Sequence, residues 1–207
     1  MTGVPAPDVV RVQREPNGGW ADPAGTGVDV RCAADGAGLS VLVAALPGVG
    51  VSRVQLRWRR SVPPDAVVLG DAWERSYGEL SWRPLRAETL HPWLVLVHSP
   101  GGHTWGAGVD VRGGSFAGWT IDPDGVSLWL DLRAGADPVL PGDRVLGVAT
   151  VRWVEGADGP FATQCALASA VCRDPLPVGP LVGANNWYYA YGRDFDADAV
   201  VRDARTI

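Results

Sequence analysis

The sequence predicts a mainly β protein: a sandwich of two large antiparallel sheets, then a helical linker, then a single β/α unit. Three observations carry this. From Val28 to Val154, apolar residues alternate with polar ones at the period of two that a strand requires. Glycine, proline and aspartate break the alternation at short intervals, as hairpin-linked strands demand. Past Gly156 the pattern changes to spacings of three and four.

The strands follow in order. "LSVLVAAL" from Leu39 is the first apolar run of this region. In "VQLRWR", Val54, Leu56 and Trp58 fall on one face, with Gln55, Arg57 and Arg59 on the other. "AVVLG" from Ala66, "WLVLVH" from Trp93 and "WGAGVDV" from Trp105 continue the series. In "VSLWLDL", Val126, Leu128, Leu130 and Leu132 share one face, and "DPDG" from Asp122 to Gly125 is the turn before it. "VLGVATVRWV", ending at Val154, is the last strand. Packing one face of each strand and wetting the other is the rule of a two-sheet sandwich.

"PFATQCALASAVCRD" opens on Pro160, suited to a first helical turn, and runs through small apolar residues to Cys172. Pro175, Pro177 and Pro180 then fix an extended crossing. The expected divisions are 1–158 for the sandwich, 159–180 for the helix and proline-rich linker, and 181–207 for the β/α unit. In that unit "PLVGANNW" reads as a strand. Ala197, Val200, Val201, Ala204 and Ile207 make a helical stripe, with Asp194 or Asp196 as N-cap. A lone parallel strand with one helix cannot cover both of its faces, so residues 181–207, unless partnered, are expected to be mobile, to fold back on the sandwich or to self-associate.

Composition excludes several functions. The 207 residues carry a net charge of -5, and every one of the 18 basic residues is arginine. No basic stripe exists for nucleic acid. "MTGVPAPDVVRVQREP" has no signal-like apolar run, and no segment reaches the roughly 18 apolar residues of a membrane span, so a cytoplasmic location is expected. Cys32, Cys165 and Cys172 lack metal-ligand spacing and read as reduced core thiols. His91, His98 and His103 fit no metal motif, so neither metal nor cofactor is expected. Asp71 with Glu74, and Asp122 with Asp124, are the possible carboxylate pairs, and turn and capping roles account for them. Trp58, Trp93 and Trp129 sit in strand patterns and are assigned to core or inter-sheet packing.

"LGDAWERSYGELSWR" from Leu69, "DPDGVSLWLDLR" from Asp122 and above all "VGANNWYYAYG" from Val182 resemble the melibiase-type α-galactosidases of glycoside hydrolase family 36, clan D. The resemblance runs from about Val54 onward. It implies an N-terminal β-sandwich (supersandwich), a helical connection, and a (β/α)8 TIM barrel whose first strand ends in a Gly-x-Asn-x-Trp-like motif. Here that motif is Gly183, Asn185 and Trp187. On this reading 181–207 is the first β/α unit of an incomplete TIM barrel, a fold of about 250 residues. A retaining glycosidase needs two carboxyl groups about 5 Å apart. In the resembling family these are aspartates on later barrel strands, accompanied by a sugar-binding lysine, so no catalytic residue is expected within this chain.

The resemblance implies that Trp187 lines a sugar pocket at the C-terminal end of the barrel strand; packing against the sandwich is the alternative. Asn186 and Tyr191 are candidates for the same rim. In "GDAWERSYG", Trp73 and Arg75 could reach a substrate site, or Arg75 could close a salt-linked turn. Two functions result. One is the non-catalytic N-terminal domain of an α-galactosidase-like hydrolase, with carbohydrate as partner once a barrel is supplied. The other is a free-standing carbohydrate-binding or interaction module.

Overall fold

The structure is a computed structural model that describes residues 3–36, 38–73, 80–111, 113–133, 135–156, 158–172, 179 and 196–205. It divides into two compact units, Met1–Arg173 and Asp174–Ile207. The first is mainly β. A five-stranded sheet is built from β1 (Val9–Gln13), β4 (Arg53–Arg59), β11 (Gly125–Asp131), β10 (Phe116–Asp122) and β7 (His91–Pro92), in that spatial order. A seven-stranded sheet follows the order β2 (Val28–Asp35), β3 (Gly38–Ala45), β12 (Leu146–Gly156), β9 (Thr104–Val109), β8 (Leu94–His98), β5 (Val67–Gly70) and β6 (Arg83–Pro84). Every strand pairing among the described residues is antiparallel, as the alternation predicts.

The inward residues of both sheets meet in one core. Val54, Leu56 and Trp58 of β4 and Val126, Leu128 and Leu130 of β11 face Trp105 and Ala107 of β9 and Val151 and Trp153 of β12. Four indoles span the layers. Trp105 and Trp153 stack at 5.0 Å within the larger sheet, and Trp58 reaches Trp153 at 6.2 Å and Trp119 at 6.0 Å. Three of the polar tips are hydrogen-bonded: Trp58 Nε1 donates to the Pro5 carbonyl at 2.8 Å, Trp119 Nε1 to the Trp93 carbonyl at 3.0 Å, and Trp153 Nε1 to Glu155 Oε1 at 3.2 Å.

Several strands escape the alternation. β1 precedes the predicted region; β10 turns the apolar Phe116 outward; β6 and β7 are two-residue pairings. Trp93, expected inside a strand, is instead the corner at which the chain leaves one sheet for the other. Its φ is 63°, a left-handed value rare for an aromatic residue. The corner is held from several sides: the Trp93 N–H donates to Ala117 O, while its carbonyl accepts from Val109 N and Trp119 Nε1.

Pro160–Val171 forms helix α1, opened by Pro160 as expected. It buries Thr163, Leu167 and Val171 against the outer face of the seven-stranded sheet. Gly106 and Gly108 of β9 make that approach possible: a Cβ at 108 would stand 2.7 Å from Val171 Cγ1, and one at 106 would stand 3.0 Å from Leu167 Cδ2. The rest of the helix faces water, which corrects the cysteine expectation. Cys165 and Cys172 are exposed, and only Cys32 is partly buried, where burial pushes its thiol pKa up. No helix among the described residues is long and apolar enough to cross a membrane.

In the second unit, Ala197–Ala204 forms helix α2, with Asp196 as the N-cap whose Oδ1 accepts from Ala199 N at 2.7 Å. Val200 and Val201 of the predicted stripe are 46% and 47% exposed, while Ala199 is buried. The remainder of the β/α unit lies outside the described residues.

Candidate functional site

The outer face of the five-stranded sheet carries the site. Period-two geometry that sends Val54, Leu128 and Trp119 inward sends Arg53, Gln55, Trp129, Gly118 and Thr120 outward. Register then sets the neighbours: Trp129 lies opposite Gln55 on one side and Gly118 on the other, and Asp131 opposite Arg53 and Phe116. Gly118 leaves room that Leu90 fills; a Cβ there would stand 2.9 Å from Leu90 Cδ1.

The result is a cleft of about 620 Å³. Trp20, Trp73, Leu90, Phe116 and Trp129 give it apolar walls, and Arg53, Thr120 and Asp131 line it with polar atoms. Trp20 stands edge-on to Trp129 at 5.4 Å and 71°. It is positioned by its neighbour Ala21, which exchanges two backbone hydrogen bonds with Val12 of β1. On the other side, Trp73 stacks on Phe116 at 4.9 Å and 17°, and Phe116 meets Trp93 edge-on at 5.9 Å. Trp73 and Phe116 remain 50% and 53% exposed, each at the rim with one ring face covered by the other.

The cleft's polar groups are partly committed. Trp129 Nε1 donates to Thr120 Oγ1 at 2.8 Å, leaving the Thr120 hydroxyl proton free to donate. Asp131 accepts from Arg133 through Nε and Nη2, from the Arg133 backbone N–H, and from Arg53 Nε. Burial alone would raise the Asp131 carboxyl pKa, but the Arg133 and Arg53 hydrogen bonds outweigh it and hold the group below the ordinary carboxylate value. Arg53 also gives Nη1 to Gln13 Oε1 at 3.2 Å. Further along the same face, Arg57 grips Asp122 bidentately at 2.7 and 2.8 Å. Asp122 Oδ1 also accepts from Asp124 N, so this carboxylate is the turn-former of "DPDG".

A carboxylic acid that must donate a proton needs a raised pKa. Asp131 and Asp122 are shifted the other way. The histidines go to separate places. His91 packs across Gly70, where burial and then Arg83 lower its pKa; His98 bonds Thr104 Oγ1 at 2.9 Å; His103 lies beside Arg60. No cluster of metal-ligating side chains occurs among the described residues.

Of the residues singled out from sequence, the structure brings Trp73 to the cleft rim. Trp187, Asn186, Tyr191 and Arg75 lie outside the described residues. Trp129 corrects its assignment to the core: it faces outward and lines the cleft, because its neighbours Leu128 and Leu130 occupy the inward positions. Trp20, Phe116, Arg53 and Asp131 were not anticipated. The signal for Trp129 was present in "VSLWLDL", whose alternation already placed the indole opposite the leucines.

No protein-family model and no curated protein matches this chain. Solved structures similar to it include glycoside hydrolases. The alpha-N-acetylgalactosaminidase NagBb from Bifidobacterium bifidum, in its GalNAc complex, is 13% identical with a TM-score of 0.44, over 78% of this chain and 32% of that one. Its complex with Gal-NHAc-DNJ gives 11% identity and a TM-score of 0.45 over the same shares. A cycloalternan-degrading enzyme from Trueperella pyogenes is 18% identical with a TM-score of 0.38, over 67% of this chain and 20% of that one. The chain thus spans a third or less of the length of these enzymes.

Proposed function

We propose that this chain is the non-catalytic N-terminal sandwich domain of an α-galactosidase-like glycoside hydrolase, with residues 181–207 as the opening β/α unit of a catalytic barrel and with carbohydrate as the partner. One observation carries the reading. The two-sheet sandwich passes through a helix packed on its own outer face directly into the segment that holds Gly183, Asn185 and Trp187. That is the order of parts the motif resemblance implies. The cleft supports the non-catalytic part: its one carboxylate among the described residues, Asp131, is held ionised by two arginines. It is suited neither to protonate a leaving group nor to serve as a free nucleophile. On this reading Trp187, Asn186 and Tyr191 belong to the sugar pocket of the barrel, and Trp73 and Arg75 to the sandwich's contribution to it.

The cleft itself favours a second reading, a carbohydrate-binding module that functions as a separate body. The coding sequence beyond Ile207 decides between the two. The hydrolase reading expects a frame supplying a lysine and two strand-end aspartates. Joined to this chain, that frame hydrolyses aryl α-galactosides, whereas the chain alone does not. An unrelated continuation, or turnover by the chain alone that disappears on changing one of its aspartates, contradicts it.

A further inference from the structure

We propose that the cleft on the outer face of the five-stranded sheet binds a neutral saccharide, with Trp129 and Trp20 as its apolar corner and Arg53 and Thr120 as its hydroxyl anchors. The proposal rests on the reading of this chain as a carbohydrate-active domain, and it places the ligand on the sandwich rather than in a barrel. A pyranose has an apolar C–H face ringed by hydroxyl groups, so its binding site needs an aromatic surface next to hydrogen-bonding groups. The edge-on pair Trp20 and Trp129 supplies two ring surfaces at 71°, against which a ring's face and edge can both pack.

The polar complement points the same way. Thr120 accepts from Trp129 and keeps its own proton to give. Arg53 uses Nε on Asp131 and Nη1 on Gln13; among the described residues its Nη2 carries no hydrogen bond. The spare groups are therefore donors, matched to hydroxyl and ring oxygens. Among the residues that line the cleft, the charge of Arg53 is matched by that of its partner Asp131, so the lining carries no net charge and favours an uncharged ligand over an anion.

Size limits the occupant. About 620 Å³ suits a small sugar, and beyond the cleft the outward rows turn to Arg57, Arg59 and Asp122 rather than continuing as an apolar face. A protein partner would need a contact of about 1,000 Å² or more, for which this recess supplies only a small part.

The test uses the whole 207-residue chain, with neutral galacto- and gluco-oligosaccharides as probes and glucuronate as the anionic comparison. Indole Nε1–H NMR shifts and tryptophan fluorescence report binding. Perturbation of Trp129 and Trp20 with a Kd of about 0.1–10 mM is expected for at least one neutral probe. Trp129→Ala then weakens binding about tenfold or more, Arg53→Gln about three- to tenfold, and Trp129→Phe less than about threefold. Should Trp129→Ala fail to fold, Arg53→Gln and Trp129→Phe carry the comparison. The proposal is overturned by no perturbation up to about 50 mM of any neutral probe, by binding of glucuronate alone, or by binding that Arg53→Gln and a folded Trp129→Ala leave unchanged. Failure here leaves the hydrolase-domain reading standing, because that reading is decided by the continuation past Ile207; an unrelated continuation leaves the cleft to be decided by its own titration.

Discussion

Arginine–aspartate pairs recur on the strand faces of this molecule, and their burial decides what each is worth. Arg152 is buried and paired bidentately with Asp110 at 2.7 Å on both arms. Gly38 is required beside it, since a Cβ there would overlap the guanidinium. Removing one partner of a buried pair leaves the other charge uncompensated. Asp110→Ala is therefore expected to cost about 3 kcal/mol, measured by urea unfolding. Asp122 behaves differently because it is more accessible. The Arg57 hydrogen bond, opposed by burial and aided by the Asp124 and Gly125 N–H groups, lowers its pKa in the fold. A lowered folded pKa gives stability that is fully present above the unfolded value and is lost as pH falls through the folded one. Asp122→Asn should thus lower stability by about 1 kcal/mol at neutral pH and flatten the acid-side loss below about pH 4. Chemical unfolding of both proteins from neutral pH to pH 2 checks this; parallel pH profiles would count against it.

At the scale of elements, helix α1 is the most testable unit. Its sequence is apolar on nearly every side, yet Phe161 is 76% exposed and Leu167 fully buried, so its docking depends on a narrow edge. Leu167 packs with Leu69, Leu96, Val154 and Val171, and Leu167→Ala should cost about 2–4 kcal/mol. In a chain of this size that is a fall of about 5–15 °C in Tm, read by thermal unfolding. A fall below about 2 °C would mean the helix is not anchored there. The strands with clean alternation were legible because their inward and outward positions differ in chemistry: "VQLRWR" and "VSLWLDL" form the paired strands β4 and β11. β10 was hidden because the apolar Phe116 faces outward and the inward Ala117 is small, so only Trp119 and Ile121 mark its buried face, and β7 because two residues are too few to show a pattern. The Trp93 corner depends on contacts with Ala117, Val109 and Trp119, all distant in sequence or on another sheet. The cleft was illegible for the same reason. Trp20, Phe116 and Trp129 come from separate segments, brought together by the register of β10 on β11 and by the bridge of Ala21 to Val12.

At the scale of the whole molecule, the chain divides into two compact units. Met1–Arg173 has a continuous core through both sheets and a docked helix. Asp174–Ile207 contributes a capped helix whose Val200 and Val201 are about half exposed. Apolar surface left in water at about 25 cal/mol per Å² is a drive to associate. We therefore assign the stability of the protein to the sandwich and any self-association to the tail. Thermal unfolding of the full chain against a chain ending at Asp174, with size measured by light scattering, tests that division most directly. The shortened protein is expected to unfold within about 2 °C of the full chain or above it, and to be no larger than a monomer in solution. A shortened protein that unfolds more than about 5 °C earlier would contradict it, and would make the tail an integral part of a single free-standing module.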